Sequence, residues 1–372
     1  MLTSLLAVTI AWGSESEELR TWGLETIQVI RRDYWMPKTS LYAEEMRSGS
    51  RTDLPSFDWG VGVMLSALNG AAKVDPSYRK PLKSYIASTR VYWNPKGPVP
   101  GYDVQPMPKT MDRYYDDNEW MTLSLAESGG IFQSAEIYGL AEQTFAYVQS
   151  GFDDKLGGGV YWRETDRSTK NTCSNGPAAS AALELYNVTH LPSYLKFAED
   201  SYDWTRQKLR DPSDGLYFDS VNLKGGVDRT KWSYNAGLML RAAVDLYRVT
   251  QEKKYLDDAK ELQMASLSHW VDADGGLKDD GKFVHLLLEN WIRAYDYVPG
   301  LTDPMPVIVR GLTILHRRGR DSGGQYGTRW NTYAPRRGYS NPKLIDQASA
   351  ARAYLEAYME LSRRTASKNS KT

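Results

Sequence analysis

Cysteine and histidine are scarce in this sequence, and their scarcity removes several kinds of active site. Cys173 is the single cysteine among 372 residues, so neither an intrachain disulfide nor a cysteine metal cluster can form. The four histidines are scattered and show no HExxH pattern. No G-x-S-x-G segment occurs, although residue counts alone leave a Ser/His/Asp set open. The sequence therefore predicts no metal site and no cofactor.

Neither an excess of one charge nor a long apolar run is present. Lys and Arg total 46, as do Asp and Glu, so the net charge is zero and nucleic acid is not an expected partner. No stretch reaches the ~20 apolar residues of a membrane-spanning helix. Residues 1–16 are interpreted as the remnant of a secretory signal or as the start of a first helix. We favour the signal remnant, which predicts a secreted, periplasmic or cell-surface protein; a cytoplasmic location stays open.

Aromatic residues are abundant but unevenly distributed by type. The chain has 25 Tyr and 12 Trp against only 7 Phe. Tyr and Trp combine a flat apolar face with a hydrogen-bonding tip, which suits the C–H faces and hydroxyl edges of sugars. The alternative is a core in which Tyr takes the place of Phe. Composition thus favours a carbohydrate ligand without deciding between the two.

Helical periodicity dominates the chain. About twelve segments carry apolar residues at spacings of three and four, separated by loops rich in Gly, Asp, Asn and Pro. They are residues 17–33, 58–73, 79–93, 117–128, 134–150, 178–188, 193–209, 233–249, 254–270, 285–298, 304–317 and 343–363. The fold class is therefore all-α. A single domain is expected over residues 17–364, followed by a flexible tail at 365–372.

An internal repeat relates two of these helix pairs. The segment LYNVTHLPSYL at 185–195 recurs at 246–256 as LYRVTQEKKYL, and the following loops DPSDGL and DADGGL also correspond. A two-helix unit repeated in this way must bury its apolar face against neighbouring units. Long, irregular loops favour a closed double ring, an (α/α)6 barrel, over an open solenoid. We interpret the Asp/Gly loops as turns rather than calcium sites.

The segment YYDDNEWM at 114–121 places two like charges side by side. Asp116 and Asp117 have an ordinary explanation, because carboxylates cap a helix start and favour the positive end of its dipole. A second pair, Asp153 and Asp154, lies in a loop without flanking aromatics and is interpreted as a turn. Aromatics on both sides of the first pair favour chemistry. Adjacent carboxylates raise one pKa of the pair, so one shared proton near neutral pH is expected.

Four blocks in order resemble glycoside hydrolase family 76, the endo-α-1,6-mannanases. They are YYDDNEWMTLSLAE at 114–127, GGGVYWRE at 157–164, KNTCSNGPAA at 170–179 and WSYNAG at 232–237. The resemblance covers the chain from about Trp22 to the last helix. It implies an (α/α)6 barrel that hydrolyses α-1,6-mannosidic bonds with retention, with Asp116 as nucleophile and Asp117 as general acid/base. Ala236 departs from the family, where a polar side chain is common, so one substrate contact is in doubt.

The remaining candidates are predicted to contact α-mannan or manno-oligosaccharides. Each has a plainer alternative, either a helix cap for the asparagines or core packing for the aromatics. They are Trp59, Tyr115, Asn118, Trp120, Trp162, Asn175, Gly176, Tyr234 and Asn235. Two other functions stay open: a catalytically silent mannan-binding protein, and a 2-epimerase-like sugar enzyme, which would need catalytic histidines. A monomer is expected.

Overall fold

The computed structural model describes the backbone of residues 2–369 and the side chains of residues 14–367. Twelve α-helices occupy most of this part of the chain. They are α1 (Leu2–Asp33), α2 (Asp58–Val74), α3 (Arg79–Thr89), α4 (Tyr115–Phe132), α5 (Ala135–Gln149), α6 (Thr172–Thr189), α7 (Pro192–Leu209), α8 (Ser233–Thr250), α9 (Lys253–Trp270), α10 (Gly281–Tyr297), α11 (Met305–Ile314) and α12 (Leu344–Asn369).

Short antiparallel strands lie in the loops between the helices. Three two-stranded ladders pair β1 with β2, β3 with β4 and β5 with β6, and a three-stranded sheet has the order β7-β8-β9. The strands are β1 (Trp35–Met36), β2 (Leu41–Tyr42), β3 (Met46–Arg47), β4 (Ser50–Arg51), β5 (Trp93–Asn94), β6 (Gly101–Tyr102), β7 (Thr169–Asn171), β8 (Ser220–Asn222) and β9 (Val227–Asp228).

The even-numbered helices form a closed inner ring. Each packs against the next, from α2 through α4, α6, α8 and α10 to α12, and α12 returns to pack against α2. The odd-numbered helices lie outside this ring, with α1 along α12, α5 along α4, α7 along α6 and α9 along α8. The predicted (α/α)6 barrel is therefore confirmed, and the open solenoid is wrong. Among the described helices, none has the length and apolar character to cross a membrane.

The repeat detected in the sequence corresponds to the turns that join inner to outer helices. His190 after α6 and Gln251 after α8 both adopt the left-handed conformation, with φ of 57° and 60°. The threonine that precedes each of them, Thr189 or Thr250, donates its hydroxyl to a carbonyl one turn back at 2.8 Å. Gln133 ends α4 with the same sign of φ, at 50°. A residue in the left-handed conformation thus reverses the chain after α4, α6 and α8.

Several inner helices begin earlier than the apolar periodicity predicts. α6 starts at Thr172 rather than at residue 178, and α10 starts at Gly281 rather than at residue 285. Pro177 lies inside α6, where a proline usually marks a helix boundary. The first turn of α6 carries polar residues at the mouth of the barrel, and α10 begins with Gly281 and Lys282, so apolar spacing begins later than either helix does. At the other end of the chain, α12 includes residues 365–369, and the rest of the predicted tail lies outside the described residues.

Charged side chains from all six inner helices form a network around the barrel axis, in the half away from the helix N-termini. Most of them line a cavity of about 720 Å³. Arg352 of α12 is 4% exposed and lies 2.9 Å from Glu127 of α4, 3.4 Å from Glu289 of α10 and 3.2 Å from Glu356. The other members are Lys73, Glu184, Arg241, Asp245 and Arg293. Ion pairs therefore connect all six inner helices at this level.

Replacing Arg352 by Met should destabilise the protein by about 3 kcal/mol or more. Burial alone would raise the pKa of Glu127, but the charges of Arg352 and Lys73 outweigh it and lower that pKa to about 2. Without Arg352 a buried carboxylate loses its main partner, which costs several kcal/mol. The matched control is Arg318→Met, which breaks an exposed pair with Asp274 and should cost under ~1 kcal/mol. Urea unfolding at pH 7 measures both; equal losses would contradict the role of the network.

Candidate active site

The aspartate pair lies in the first turn of α4, where the helix enters the barrel from its mouth. Tyr114 occupies the N-cap position in an extended conformation, and no side chain caps this helix. The carboxylates are therefore not used as the helix cap, although Oδ1 of Asp116 accepts a hydrogen bond from the backbone N–H of Asp117 at 3.1 Å. Both aspartates remain partly exposed, so a ligand in the cleft at the mouth of the barrel can reach them.

The two carboxylates have different hydrogen-bond partners. Oδ2 of Asp116 accepts a hydrogen bond from Nε1 of Trp162 at 3.1 Å and from Sγ of Cys173 at 3.4 Å. The carboxylate of Asp117 accepts no hydrogen bond from any described residue. Donors favour the ionised form of a carboxylate. Asp116 is thus the better-stabilised anion of the pair.

Burial and mutual repulsion raise the pKa values of this carboxylate cluster. Burial raises the pKa of Asp116 to about 7, although Cys173 and Trp162 act in the opposite direction. Burial, followed by the charges of Asp116 and Asp58, raises the pKa of Asp117 well above its usual range. Burial, Asp116 and Asp117 do the same for the pKa of Glu119. The raised pKa values favour a proton on the pair near neutral pH, and the lack of donors to Asp117 favours that residue as its carrier.

Aromatic side chains from the first turns of other inner helices form one wall of the cleft. Trp59 of α2 stacks on Phe283 of α10 with ring centroids 5.7 Å apart, and Tyr234 of α8 stacks on the same ring at 4.3 Å. Trp162 is 38% exposed and packs edge-on against Tyr114 at 5.0 Å. Trp59, Tyr234 and Trp162 thus lie at the mouth of the barrel, and their contact with a sugar stays a prediction. Phe283 was missed because the predicted helix began at residue 285.

Three predicted sugar contacts are instead part of the scaffold. Tyr115 is fully buried and stacks on Tyr147 at 4.9 Å. Asn118 accepts a hydrogen bond from the N–H of Tyr102 and donates to two backbone carbonyls, so the oxygen and the nitrogen of its amide both have protein partners. Asn175 bonds to the N–H and C=O of Val160 and to a further carbonyl of its own helix. Neither asparagine is a helix cap or a sugar contact, because each amide holds the backbone of a loop residue, Tyr102 or Val160, against its helix.

Trp120 and Gly176 also lie away from the cleft. Trp120 is 5% exposed, packs against Gly62 of α2 and lines the cavity that holds the ionic network. Gly176 lets α6 approach α8, since a Cβ at this position would lie 3.1 Å from Leu238. Asn235 is fully buried, yet neither its amide nitrogen nor its amide oxygen has a partner among the described residues. Asn235 is the third residue of α8, whereas Asn175 is the fourth residue of α6, so the two amides do not hold equivalent places.

Buried polar atoms without a described partner are concentrated in the first two turns of the inner helices. An unsatisfied buried polar group costs ~1–3 kcal/mol, so such a concentration needs a partner from water or a ligand. These groups are both carboxylate oxygens of Asp58 and of Glu119, the indole nitrogen of Trp59, the hydroxyls of Ser174 and Ser233, and the amide of Asn235. Sequence reasoning missed Asp58 and Ser174. Their place in the first turn of an inner helix is the only signal that could have identified them.

The second aspartate pair serves as an internal comparison. Asp153 lies in the loop before the Lys155–Gly157 turn and forms an ion pair with Lys170 at 2.7 Å. The ammonium of Lys170 also donates to the backbone carbonyls of Asp153, Lys155 and Gly158, at 2.6–3.0 Å. The predicted turn at Asp153–Asp154 is confirmed. The side chain of Lys170 is fully buried.

The histidines do not contribute to the cleft. His285 is 2% exposed beside the ionic cavity, and burial lowers its pKa to about 4. His316 stacks on Trp22 with ring centroids 4.0 Å apart. No group of three or more His, Cys, Asp or Glu residues within the described part of the chain could hold a metal ion. An epimerase-like site built on histidines is therefore not present among these residues.

A closed (α/α)6 barrel with paired carboxylates at its mouth defines the class of a helical-barrel glycoside hydrolase. The model of the family described as Glycosyl hydrolase family 76 matches residues 33–368, and the chain belongs to this family. This assignment agrees with the resemblance carried by the four sequence blocks.

Solved structures and curated relatives give the same family. A GH76 α-mannanase of Bacteroides thetaiotaomicron is 28% identical with a TM-score of 0.87, over 96% of this chain and 99% of that one. The GH76A α-1,6-mannanase of Salegentibacter sp. HEL1_6 shares the fold at 24% identity and a TM-score of 0.77, over 94% and 99% of the two chains. Mannan endo-1,6-alpha-mannosidase DCW1 of Candida albicans is 31% identical over 128 residues, which are 31% of this chain and 28% of that protein. The match to this relative therefore spans less than a third of its length.

The contrast between Asn175 and Asn235 predicts different stability losses. Asn175→Leu removes three hydrogen bonds to backbone groups and leaves buried groups unpaired, so it should cost about 3 kcal/mol or more. Asn235→Leu removes no bond to a described residue and should cost clearly less. Thermal unfolding of both variants in parallel measures the difference. A larger loss of stability for Asn235→Leu would contradict the role of Asn175 in holding Val160 against α6.

The pH dependence of stability should distinguish the two aspartate pairs. The raised pKa of Asp116 means that the folded state binds more protons, so its contribution is present below pH ~4 and is lost as the pH rises through about 7. Asp116→Asn should therefore stabilise the protein by ~1–3 kcal/mol at pH 8 and have little effect at pH 4. Asp153 has a lowered pKa through its bonds to Lys170, so Asp153→Asn should destabilise at pH 8. Denaturant titrations at both pH values test the opposite signs.

Proposed function

We propose that this protein hydrolyses α-1,6-mannosidic bonds inside mannan chains by a retaining double displacement. The observation that carries the proposal is the unequal hydrogen bonding of the aspartate pair. Asp116 accepts hydrogen bonds from Trp162 and Cys173, which suits an ionised nucleophile. Asp117 has no donor among the described residues and sits beside a like charge, which suits a carboxylic acid that carries a proton.

The proposed reaction proceeds in two steps. Asp116 attacks C1 of the mannose ring while Asp117 donates its proton to the glycosidic oxygen, so the C1–O bond breaks as the Asp116–C1 bond forms. Asp117, now ionised, then takes a proton from a water whose oxygen attacks C1 and releases Asp116. Two displacements restore the original anomer. The first turn of α4 supports the nucleophile, because free N–H groups and the helix dipole favour a negative charge there.

The substrate is inferred from the cleft and from the relatives. The stacked rings of Trp59, Phe283 and Tyr234 offer apolar faces, and unpaired buried groups such as Asp58 offer acceptors for hydroxyls. An inactive variant of the Salegentibacter α-1,6-mannanase, with two consecutive aspartates replaced by asparagine, was solved in complex with α-1,6-mannotriose. Curated relatives of Candida albicans and Saccharomyces cerevisiae are named mannan endo-1,6-alpha-mannosidases. Together these support α-1,6-mannan as the substrate.

Activity on linear α-1,6-mannan tests the proposal. The wild type should release manno-oligosaccharides whose first-formed anomer, followed by ¹H NMR, is α. Asp116→Asn and Asp117→Asn should each lower kcat by about 10³-fold or more, because each removes one essential group. Asp117→Asn should retain much more activity on substrates whose leaving group needs no proton, such as aryl α-mannosides.

Asp153→Asn is the matched control for this experiment, since it alters the other aspartate pair and should keep normal turnover. A β-configured first product would contradict retention. Binding of mannan without any hydrolysis would favour a catalytically silent mannan-binding protein instead.

A further inference from the structure

We propose that Trp162 and Cys173 are positioning residues that together fix the carboxylate of Asp116 through its Oδ2 atom and leave Oδ1 as the attacking oxygen. The inference rests on the proposed function, because it concerns the nucleophile of that reaction. Neither side chain needs to touch the substrate for this role. For Trp162 it is a role distinct from the sugar stacking that the sequence predicts.

Trp162 is held in place by the same backbone that carries Asp116. The N–H of Tyr115 donates to the carbonyl of Trp162 at 2.9 Å, and the N–H of Trp162 donates to the carbonyl of Thr169 at 3.1 Å. Its ring packs edge-on against Tyr114, 5.0 Å away. These contacts set the direction of the indole, so its N–H reaches Oδ2 of Asp116 at 3.1 Å although much of the ring is exposed.

Cys173 approaches the same oxygen from a different helix. It lies in the first turn of α6 and is 2% exposed, with its thiol 3.4 Å from Oδ2 of Asp116. Tyr234, from the first turn of α8, interacts with this thiol. Burial raises the pKa of Cys173 well above its usual range, so the thiol keeps its proton and can donate it to the hydrogen bond. Residues of α4, α6 and α8 thus contribute, directly or through Cys173, to holding the carboxylate of Asp116.

The count of acceptor positions indicates which oxygen attacks. An ionised carboxylate has about four lone-pair positions, two on each oxygen. Oδ2 uses two for Trp162 and Cys173, and Oδ1 uses one for the N–H of Asp117. The remaining position is on Oδ1, which can therefore form the bond to C1 as the glycosidic bond breaks. Loss of the two donors would let the carboxylate rotate and would remove stabilisation of its negative charge.

Other titratable groups around Asp116 must be considered in any pH experiment. On α4 they are Asp117 and Glu119, whose charges interact with that of Asp116. From neighbouring elements they are Cys173, Tyr234, Tyr114, Asp58 and Asp112, the last of which is paired with Arg163 at 2.8 Å. All variants below leave these carboxylates unchanged, so a shift between variants reports the lost donor.

The test compares pH profiles of kcat/KM for Trp162→Phe, Cys173→Ala, Cys173→Ser and the double variant Trp162→Phe/Cys173→Ala. A donor to a carboxylate lowers its pKa, so its loss should move the acid limb to higher pH. We expect a shift of about one pH unit for Trp162→Phe, about half a unit for Cys173→Ala and more for the double variant. Cys173→Ser retains a donor and should stay near the wild type. Trp204→Phe, which removes an indole N–H bonded to Leu156, should leave the limb unchanged.

An unchanged acid limb in the double variant would overturn the inference, whatever happens to kcat. A loss of activity with a normal pH profile in Cys173→Ala and in Cys173→Ser alike would also overturn it, since it would indicate a merely structural role. If the wild type does not cleave mannan, the proposed function fails separately. The ¹³C-NMR titration of the Asp116 carboxyl in the substrate-free protein still measures the shift in each variant.

A trapped covalent intermediate tests the attacking oxygen directly. A 2-deoxy-2-fluoro-mannosyl donor should leave a mannosyl group on Asp116 that survives long enough for crystallography. We expect C1 to be bonded to the oxygen that faces the N–H of Asp117, with the other oxygen still in contact with Trp162 and Cys173. Attachment of C1 to the oxygen beside Trp162 would contradict this assignment.

Discussion

The common direction of the six inner helices is the constraint on which the rest of the structure depends. Closing the ring places the first turns of α2, α4, α6, α8 and α10 around one opening, where Trp59, Asp116, Cys173, Tyr234 and Phe283 meet. Each first turn brings free N–H groups and the positive end of a dipole. These groups favour negative charge but do not offset the burial and repulsion that raise the pKa values of Asp116 and Asp117. Residues far apart in the chain become neighbours at this opening. The opposite half of the barrel is held together by the ionic network.

The two ends of the barrel use buried charge in opposite ways. In the network, opposite charges lie within ion-pair distance, so the pKa of Glu127 is lowered and ionisation stabilises the fold. At the mouth, like charges are adjacent and few donors oppose them, so the pKa of Asp117 is raised and ionisation is costly. Such an arrangement lowers the stability of the fold and favours the protonated form of a carboxylic acid. The donors on Asp116 decide which of the two aspartates bears the charge.

Hairpins between the helices are attached by a repeated amide contact. Asn118 bonds to both backbone groups of Tyr102, Asn175 to those of Val160, and Gln347 to those of Tyr326. A side-chain amide in the first turn thus takes the place of a partner strand. This attachment holds the segment that carries Trp162 over the mouth, which a free loop would not do. At the equivalent fourth position α8 has Ala236, which cannot form such bonds, so α8 differs from its neighbours.

The sequence by itself determined the helix count, the two-helix repeat and the order of the family blocks, because apolar spacing and local motifs are properties of short segments. It also singled out Asp116 and Asp117 over Asp153 and Asp154 through their flanking aromatics. Helix starts were predicted too late at α6 and α10, since a polar first turn in α6 and an initial Gly281-Lys282 in α10 do not show apolar spacing. Phe283 was missed because it lies before the predicted start of α10. Asn118 and Asn175 were predicted as sugar contacts because their bonds to Tyr102 and Val160 are tertiary contacts. Which side chains face the cleft, and which aspartate receives donors from Trp162 and Cys173, was decided only when ring closure brought separate helices together.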